Sequence, residues 1–211
     1  MKAFIYVGGT VYPDFITDHP KIDDLVIAAD AGYKNAILLG EKVRYLIGDL
    51  DSLGEKNVPD DDSVELIRLK PEKDVTDTQA AVGFAVSQGA DNIIIIGGLS
   101  GRLDHTLSNV SILEDLYAGG VYAVITDGLN RVRFLRSSST LIGKSYFRYL
   151  SVLCADEKVK GVSVEGCKYP LNNAKLERRC QYAVSNELTG NCALISVKKG
   201  AVYIIESRDP L

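Results

Sequence analysis

Leu46-Ile47-Gly48-Asp49-Leu50-Asp51-Ser52 ends an apolar run in a glycine and then sets two carboxylates two residues apart. In an extended strand alternate residues share a side. Asp49 and Asp51 therefore converge at the carboxyl end of a strand, the edge at which open α/β sheets bind ligands. Taken alone, the stretch fits equally well a polar turn after a buried strand, with Asp51 as a cap for the next element. Its surroundings favour the first reading.

Three more polar clusters come after strand-like runs. Leu25 to Ala29 leads into Asp30-Ala31-Gly32, and Val64 to Leu69 is followed by Pro71-Glu72-Lys73-Asp74-Val75-Thr76-Asp77. Asn92 to Ile96 leads into Gly97-Gly98-Leu99-Ser100-Gly101-Arg102-Leu103-Asp104-His105. If the strands are parallel neighbours, all these clusters gather at one sheet edge. That edge then holds surplus acid, which calls for a hard cation such as Mg2+, beside Arg and Lys suited to phosphate oxygens.

Apolar runs alternate with helical patterns up to about residue 126. Helices are expected over Ala31–Leu39, Thr78–Gln88 and Asp104–Tyr117, and a last strand over Val121–Thr126. Such alternation specifies a mostly parallel, Rossmann-like sheet with flanking helices. Beyond Asp127-Gly128 the helical period vanishes. Short β-rich runs (132–135, 146–154, 161–164, 180–184, 193–197 and 201–205) are punctuated by turn signals such as Asn172-Asn173 and Lys199-Gly200, the pattern of an antiparallel β-sandwich. The expected division is residues 1–126, an α/β nucleotide-binding catalytic domain, and 127–211, a β-sandwich.

With 211 residues, 46% hydrophobic and 25% charged, the chain can bury a core without disulfides. A net charge of −4 argues against nucleic-acid binding through broad electrostatics. No apolar run reaches the ~20 residues of a membrane span, and the short apolar stretch after Met1 reads as a first strand rather than an export signal. A cytoplasmic location is therefore expected. Cys154, Cys167, Cys180 and Cys192 lack metal-knuckle or redox spacing and are expected as buried free thiols.

Local chemistry leaves several roles open. Asp30 fits a helix N-cap as well as a metal or substrate ligand. Asp74 and Asp77 sit at a helix start, where one of them suits capping and the dipole; Asp77 is the favoured functional carboxylate, with Lys73 a phosphate contact. The glycine-rich loop at 97–101 permits close backbone approach to a phosphate ahead of a helix, and Arg102 is its anion-binding side chain. His105, beside Asp104, fits a structural role too. Tyr169, in Gly166-Cys167-Lys168-Tyr169-Pro170-Leu171, and Ser185-Asn186 read either as ordinary turn chemistry with a packed ring or as a surface for a ligand.

In this order, Asp30-Ala31-Gly32, Gly48 to Ser52, Lys73 to Asp77, Gly97 to His105, Lys168 to Leu171 and Ser185-Asn186 resemble the thiamine pyrophosphokinases of bacteria, over nearly the whole chain. The resemblance implies an α/β domain followed by a β-sandwich, assembly as a homodimer, and diphosphoryl transfer from ATP to thiamine with Mg2+. It implies that Asp49, Asp51 and Asp77 are metal ligands and, with Arg102, carry catalysis. It places Asp30, Lys73, Asp74, Thr76, Gly98, Gly101, Arg102, Asp104 and His105 around the nucleotide, and Tyr169, Ser185 and Asn186 at thiamine. Eukaryotic relatives have a Trp near Tyr169, whereas this chain has none; a tyrosine stacks on a flat cationic ring less strongly. Two alternatives share the pattern: a pyrophosphokinase for another alcohol, such as a hydroxymethylpterin, and a non-catalytic thiamine or nucleotide sensor.

Overall fold

The computed structural model describes residues 1–50, 63–70, 72 and 74–210. Asp51 and Lys73, both singled out by the sequence, lie outside the described residues. The chain divides into two compact units, Met1–Gly128 and Leu129–Leu211.

The first unit is built on six parallel strands: β1 (Lys2–Tyr6), β2 (Leu25–Ala29), β3 (Tyr45–Gly48), β4 (Glu65–Arg68), β5 (Asn92–Ile96) and β6 (Tyr122–Thr126). Their order across the sheet is β4-β3-β2-β1-β5-β6. The order reverses at β1, which pairs with β2 on one side and β5 on the other. That reversal is the topological switch point at which α/β sheets open a ligand crevice.

Central strands covered on both faces read as continuous apolar runs, and β1, β2 and β5 do. Phe4, Tyr6, Val26, Ala28, Leu46, Ile94, Ile96 and Val124 share one face with Ala36 of helix α1 (Gly32–Leu38). On the other face Phe84 of α2 (Asp77–Ser87) packs at a tilt of 58° against Tyr45, ring centroids 4.8 Å apart. Helix α3 (Leu103–Ala118) packs beside α2 and over β6. Ile93, Ile95 and Ile96 are fully buried, each contributing about 1.5–3 kcal/mol relative to exposure. Helix α1 lies so close to β1 that a Cβ on Gly32 would sit 2.0 Å from the Tyr6 carbonyl oxygen.

The second unit is all β. Strand β13 (Ala201–Ser207) is bracketed by β7 (Asn130–Arg136) and β9 (Tyr149–Cys154), both antiparallel to it. A separate four-stranded antiparallel sheet runs β11-β10-β12-β8, from β8 (Ser139–Gly143), β10 (Lys158–Glu165), β11 (Leu171–Glu177) and β12 (Cys192–Lys199). Alternate residues such as Val162, Val164, Ile195 and Val197 face inward and are buried, as in a two-sheet sandwich.

Three details differ from the sequence reading. Asn172-Asn173 lies inside β11 rather than in a turn; Asn173 has φ 52°, and the β10–β11 register shifts between Lys160 and Val162 and again between Val162 and Val164. The segment 180–184 is not a strand; around it Cys180 and Asn186 make only isolated bridges, to Glu177 and Leu150. Cys154 and Cys167 are buried free thiols, whose pKa burial pushes up, but Cys180 and Cys192 are exposed.

Candidate functional site

Four connections meet at the carboxyl edge of the first unit's sheet: those after β1, β2 and β5, and the start of α2. Between them lies a cleft of about 370 Å3 whose wall includes Gly9, Asp30, Asp77, Gly98, Ser100 and Arg102.

The acids there are held by backbone rather than by capping. Asp30 has φ 44°, a left-handed conformation that a non-glycine residue adopts at a cost of roughly 1–2 kcal/mol. It does not cap α1, whose first flanking residue is Ala31 with no side-chain bond. Instead Asp30 N–H donates to Ile47 O at 2.9 Å. Its side chain is 8% exposed, and its Oδ1 is buried with no hydrogen-bond partner among the described residues. At α2 the cap is Thr76: its hydroxyl accepts from Gln79 N–H at 3.2 Å, and Gln79 Oε1 accepts from Thr76 N–H at 3.0 Å. This reciprocal capping box takes over the role the sequence offered to an aspartate and leaves Asp77, the first helical residue, in the cleft wall. Asp49 is half-buried at the end of β3, and Asp74 is exposed.

Among the described residues no three His, Cys, Asp or Glu side chains gather as a metal centre. Mg2+ does not need such a cage, since one or two carboxylates and the substrate's phosphates complete its shell. The buried Oδ1 of Asp30 and the hard-oxygen chemistry of Asp77 and Asp49 fit that ion.

Opposite the acids are two glycine loops. Gly98 N–H donates to Gly8 O at 2.8 Å, and Thr10 N–H donates to the Ser100 hydroxyl at 2.6 Å. Gly97 and Gly98 have φ 98° and 74°, and a Cβ on Gly97 would meet Val7 O at 2.5 Å. Only glycine fits so close to another backbone in that conformation. Two buried asparagines reach these loops from the helices. Asn35 of α1 donates through Nδ2 to Val7 O at 2.7 Å and to Gly9 O at 2.9 Å; Asn109 of α3 donates to Gly98 O at 3.1 Å.

Arg102 precedes α3 and pairs through two bonds with Asp104, Nη2 to Oδ2 at 2.6 Å and Nε to Oδ1 at 3.2 Å. Both side chains are mostly exposed. The Arg102 hydrogen bond, followed by the N–H of His105, holds the Asp104 carboxyl below the usual aspartate range, and Asp104 in turn raises the guanidinium. The geometry thus shows a phosphate-competent fork already closed on a carboxylate. His105 lines the cleft and has no role as a cap.

In the second unit, Tyr169 and Asn186 border a largely apolar groove of about 110 Å3 that also includes Leu150, Val164, Tyr182 and Val184. The Tyr169 ring is 59% exposed and carries Lys168 Nζ 5.4 Å from its centroid. Asn186 is buried; its Oδ1 accepts from Tyr169 N–H and Glu187 N–H, and its Nδ2 donates to Tyr169 O. Ser185, at φ 56°, anchors the same segment through its N–H to the Ser151 hydroxyl at 3.0 Å.

Sequence reasoning passed over Gly8-Gly9, Asn35 and Asn109. The available signals were a double glycine closing β1 and, on two helices, an asparagine standing on an otherwise apolar face.

Residues 20–125 match the family described as thiamin pyrophosphokinase, catalytic domain, and residues 139–202 match thiamin pyrophosphokinase, vitamin B1 binding domain. The chain is 29% identical over 215 residues to the thiamine pyrophosphokinase of Bacillus subtilis, spanning 99% of this chain and 100% of that one. The crystal structure of the Bacillus subtilis thiamine pyrophosphokinase superposes with a TM-score of 0.88 at 26% identity, covering 100% of both chains. That of the Geobacillus thermodenitrificans thiamin pyrophosphokinase gives 0.87 at 27% identity, covering 99% of this chain and 98% of that one.

Proposed function

The chain belongs to the thiamine pyrophosphokinase family, and on that premise we propose that it transfers the diphosphoryl group of ATP to the hydroxyl of thiamine, giving thiamine diphosphate and AMP. The observation that carries this reading is the cleft at the sheet's switch point, whose wall holds both Asp30, with a buried carboxylate oxygen that has no donor among the described residues, and glycine loops built for close approach.

The thiamine hydroxyl oxygen forms a bond to the β-phosphorus, the bond from that phosphorus to the α-bridging oxygen breaks, and AMP leaves with that oxygen. The hydroxyl proton passes to a nearby carboxylate or to water. Positioning and charge neutralisation carry most such reactions. Asp30, Asp49, Asp51 and Asp77 would hold Mg2+, which when bound neutralises phosphate charge. Gly98, Gly101 and the loop backbone hold the phosphates, with Lys73, Thr76 and His105 around them. Arg102 exchanges its bonds to Asp104 for phosphate oxygens. In the second unit, Tyr169 offers its face to the flat cationic ring of thiamine, with Ser185 and Asn186 holding the segment that presents it. A cytoplasmic homodimer is part of the same proposal.

Phosphorus NMR of the protein with ATP, Mg2+ and thiamine tests the reading. AMP and thiamine diphosphate are expected together and only with thiamine present; ADP, or AMP formed without thiamine, would reject it. Light scattering behind size exclusion tests the dimer.

A further inference from the structure

We infer that Asn35 and Asn109 are positioning residues that turn the carbonyl oxygens of the two glycine loops into the protein, so that the cleft presents N–H groups to a triphosphate. The inference rests on the proposed nucleotide site and extends it to two side chains that hold the loops, one of them, Asn109, also in the cleft wall.

A phosphate cradle made of backbone has a built-in conflict. Every peptide that can donate an N–H also carries a carbonyl oxygen, and a carbonyl lone pair beside a phosphate repels it. A trans peptide is planar, with its C=O and N–H pointing in opposite directions, so fixing one end fixes the other. In this cleft the carbonyls of four loop residues have donors inside the protein. Val7 O and Gly9 O take the two amide protons of Asn35, at 2.7 and 2.9 Å. Gly8 O takes Gly98 N–H at 2.8 Å, and Gly98 O takes Asn109 Nδ2 at 3.1 Å. Asn35 thus pins the peptides joining Val7 to Gly8 and Gly9 to Thr10, Gly98 N–H pins the one joining Gly8 to Gly9, and Asn109 pins the one joining Gly98 to Leu99. Thr10 N–H goes to the Ser100 hydroxyl, whereas the N–H groups at the other ends, on Gly8, Gly9 and Leu99, have no acceptor among the described residues. Successive N–H groups freed this way form an anion-binding concavity.

Asparagine is the side chain this arrangement requires. Its Nδ2 carries two protons, enough for Asn35 to bridge two carbonyls at once, and it brings no net charge into a site meant for an anion. Both asparagines are buried, at 9% and 6% exposure, so water does not replace them cheaply. The fit is close: a Cβ on Gly98 would lie 2.6 Å from Asn109 Nδ2.

The test compares wild type with Asn35→Leu and Asn109→Leu, which keep size and neutrality but remove the donors. Isothermal calorimetry with Mg2+ present measures binding of ATP, inorganic tripolyphosphate and adenosine, alongside thermal melting. Affinity for ATP and tripolyphosphate is expected to fall at least about tenfold, with adenosine affinity unchanged. Equal binding of tripolyphosphate by wild type and variants would overturn the inference while leaving the nucleotide reading intact. So would a proportional loss of ATP and adenosine, since that marks a role in the fold alone. Wild type that binds neither ATP nor tripolyphosphate would instead overturn the nucleotide reading itself. Should the leucine variants fail to fold, Asn35→Ser and Asn109→Ser are judged by the same ratio of tripolyphosphate to adenosine affinity.

Discussion

The side-chain amide of Asn186 pairs in both directions with the backbone of Tyr169: Oδ1 accepts its N–H at 2.9 Å, and Nδ2 donates to its carbonyl at 2.7 Å. A side chain here does what a neighbouring strand does elsewhere, holding an extended residue by its donor and its acceptor together. The ring of Tyr169 is left at the border of the groove, with Lys168 Nζ 5.4 Å from its centroid.

Asn186→Ala is accordingly expected to act through Tyr169. It removes the two bonds to Tyr169 and one to Glu187 N–H, a loss of about 1–3 kcal/mol visible in thermal melting. Its KM for thiamine should rise as much as that of Tyr169→Ala, with KM for ATP unchanged. Steady-state kinetics of the two single variants and the double variant check this. A double variant no worse than either single one is the expected outcome, because both act on one contact.

Asp30→Asn separates folding from function. Asparagine tolerates the left-handed backbone at this position and relieves a buried carboxylate oxygen that has no donor among the described residues. Melting temperature should hold or rise, while turnover falls about 100-fold or more, the scale of removing a group aimed at developing charge. A melting curve and AMP release measured on the same preparation decide it.

Thr76→Ala removes the cap of α2, at a cost of about 1 kcal/mol, and Thr76→Ser restores most of it. The first turn of the helix also carries Asp77. Activity should therefore drop in the alanine variant and return with serine, in step with hydrogen exchange at Gln79 N–H.

The Arg102–Asp104 pair sets a direction for pH. The Asp104 carboxyl lies below its unfolded value because of the Arg102 hydrogen bond and then the His105 N–H. Its contribution to stability is complete above the unfolded carboxylate range, about pH 4, and is lost as pH falls through the lower folded value. Neutral solution leaves the pair intact. Carboxyl NMR should find the Asp104 midpoint depressed in wild type and moved up in Arg102→Ala.

The alternation of strands and helices was legible because it has a period: apolar runs such as Asn92–Ile96 are covered on both faces, and the chain between them repeats every turn. The second unit was less so. Strand β11 carries Asn172-Asn173 and shifts its register twice against β10, and no composition rule separates such a bulged strand from a turn. In the site, glycines and acids announced themselves by type. The division of labour among them did not. Thr76 rather than an aspartate caps α2, and Asp30 caps nothing, because both outcomes depend on how the backbone enters a helix. Asn35 and Asn109 were illegible for a further reason: their partners lie 28 and 11 residues away along the chain, and only the packed sheet brings them together.

The central place of β1 also shapes how the chain comes into being on a ribosome. Ala3 to Tyr6 pair with Leu25 to Ala28 on one side, and Lys2 to Tyr6 pair with Asn92 to Ile96 on the other. The first partner is synthesised almost at once. At about 5–20 residues per second the second emerges on the order of 5–20 s later. Through that interval an apolar strand has an open edge, the kind that invites pairing with other chains. Nascent chains halted before β5 should therefore bind chaperones and aggregate when released, and chains halted beyond it should do neither.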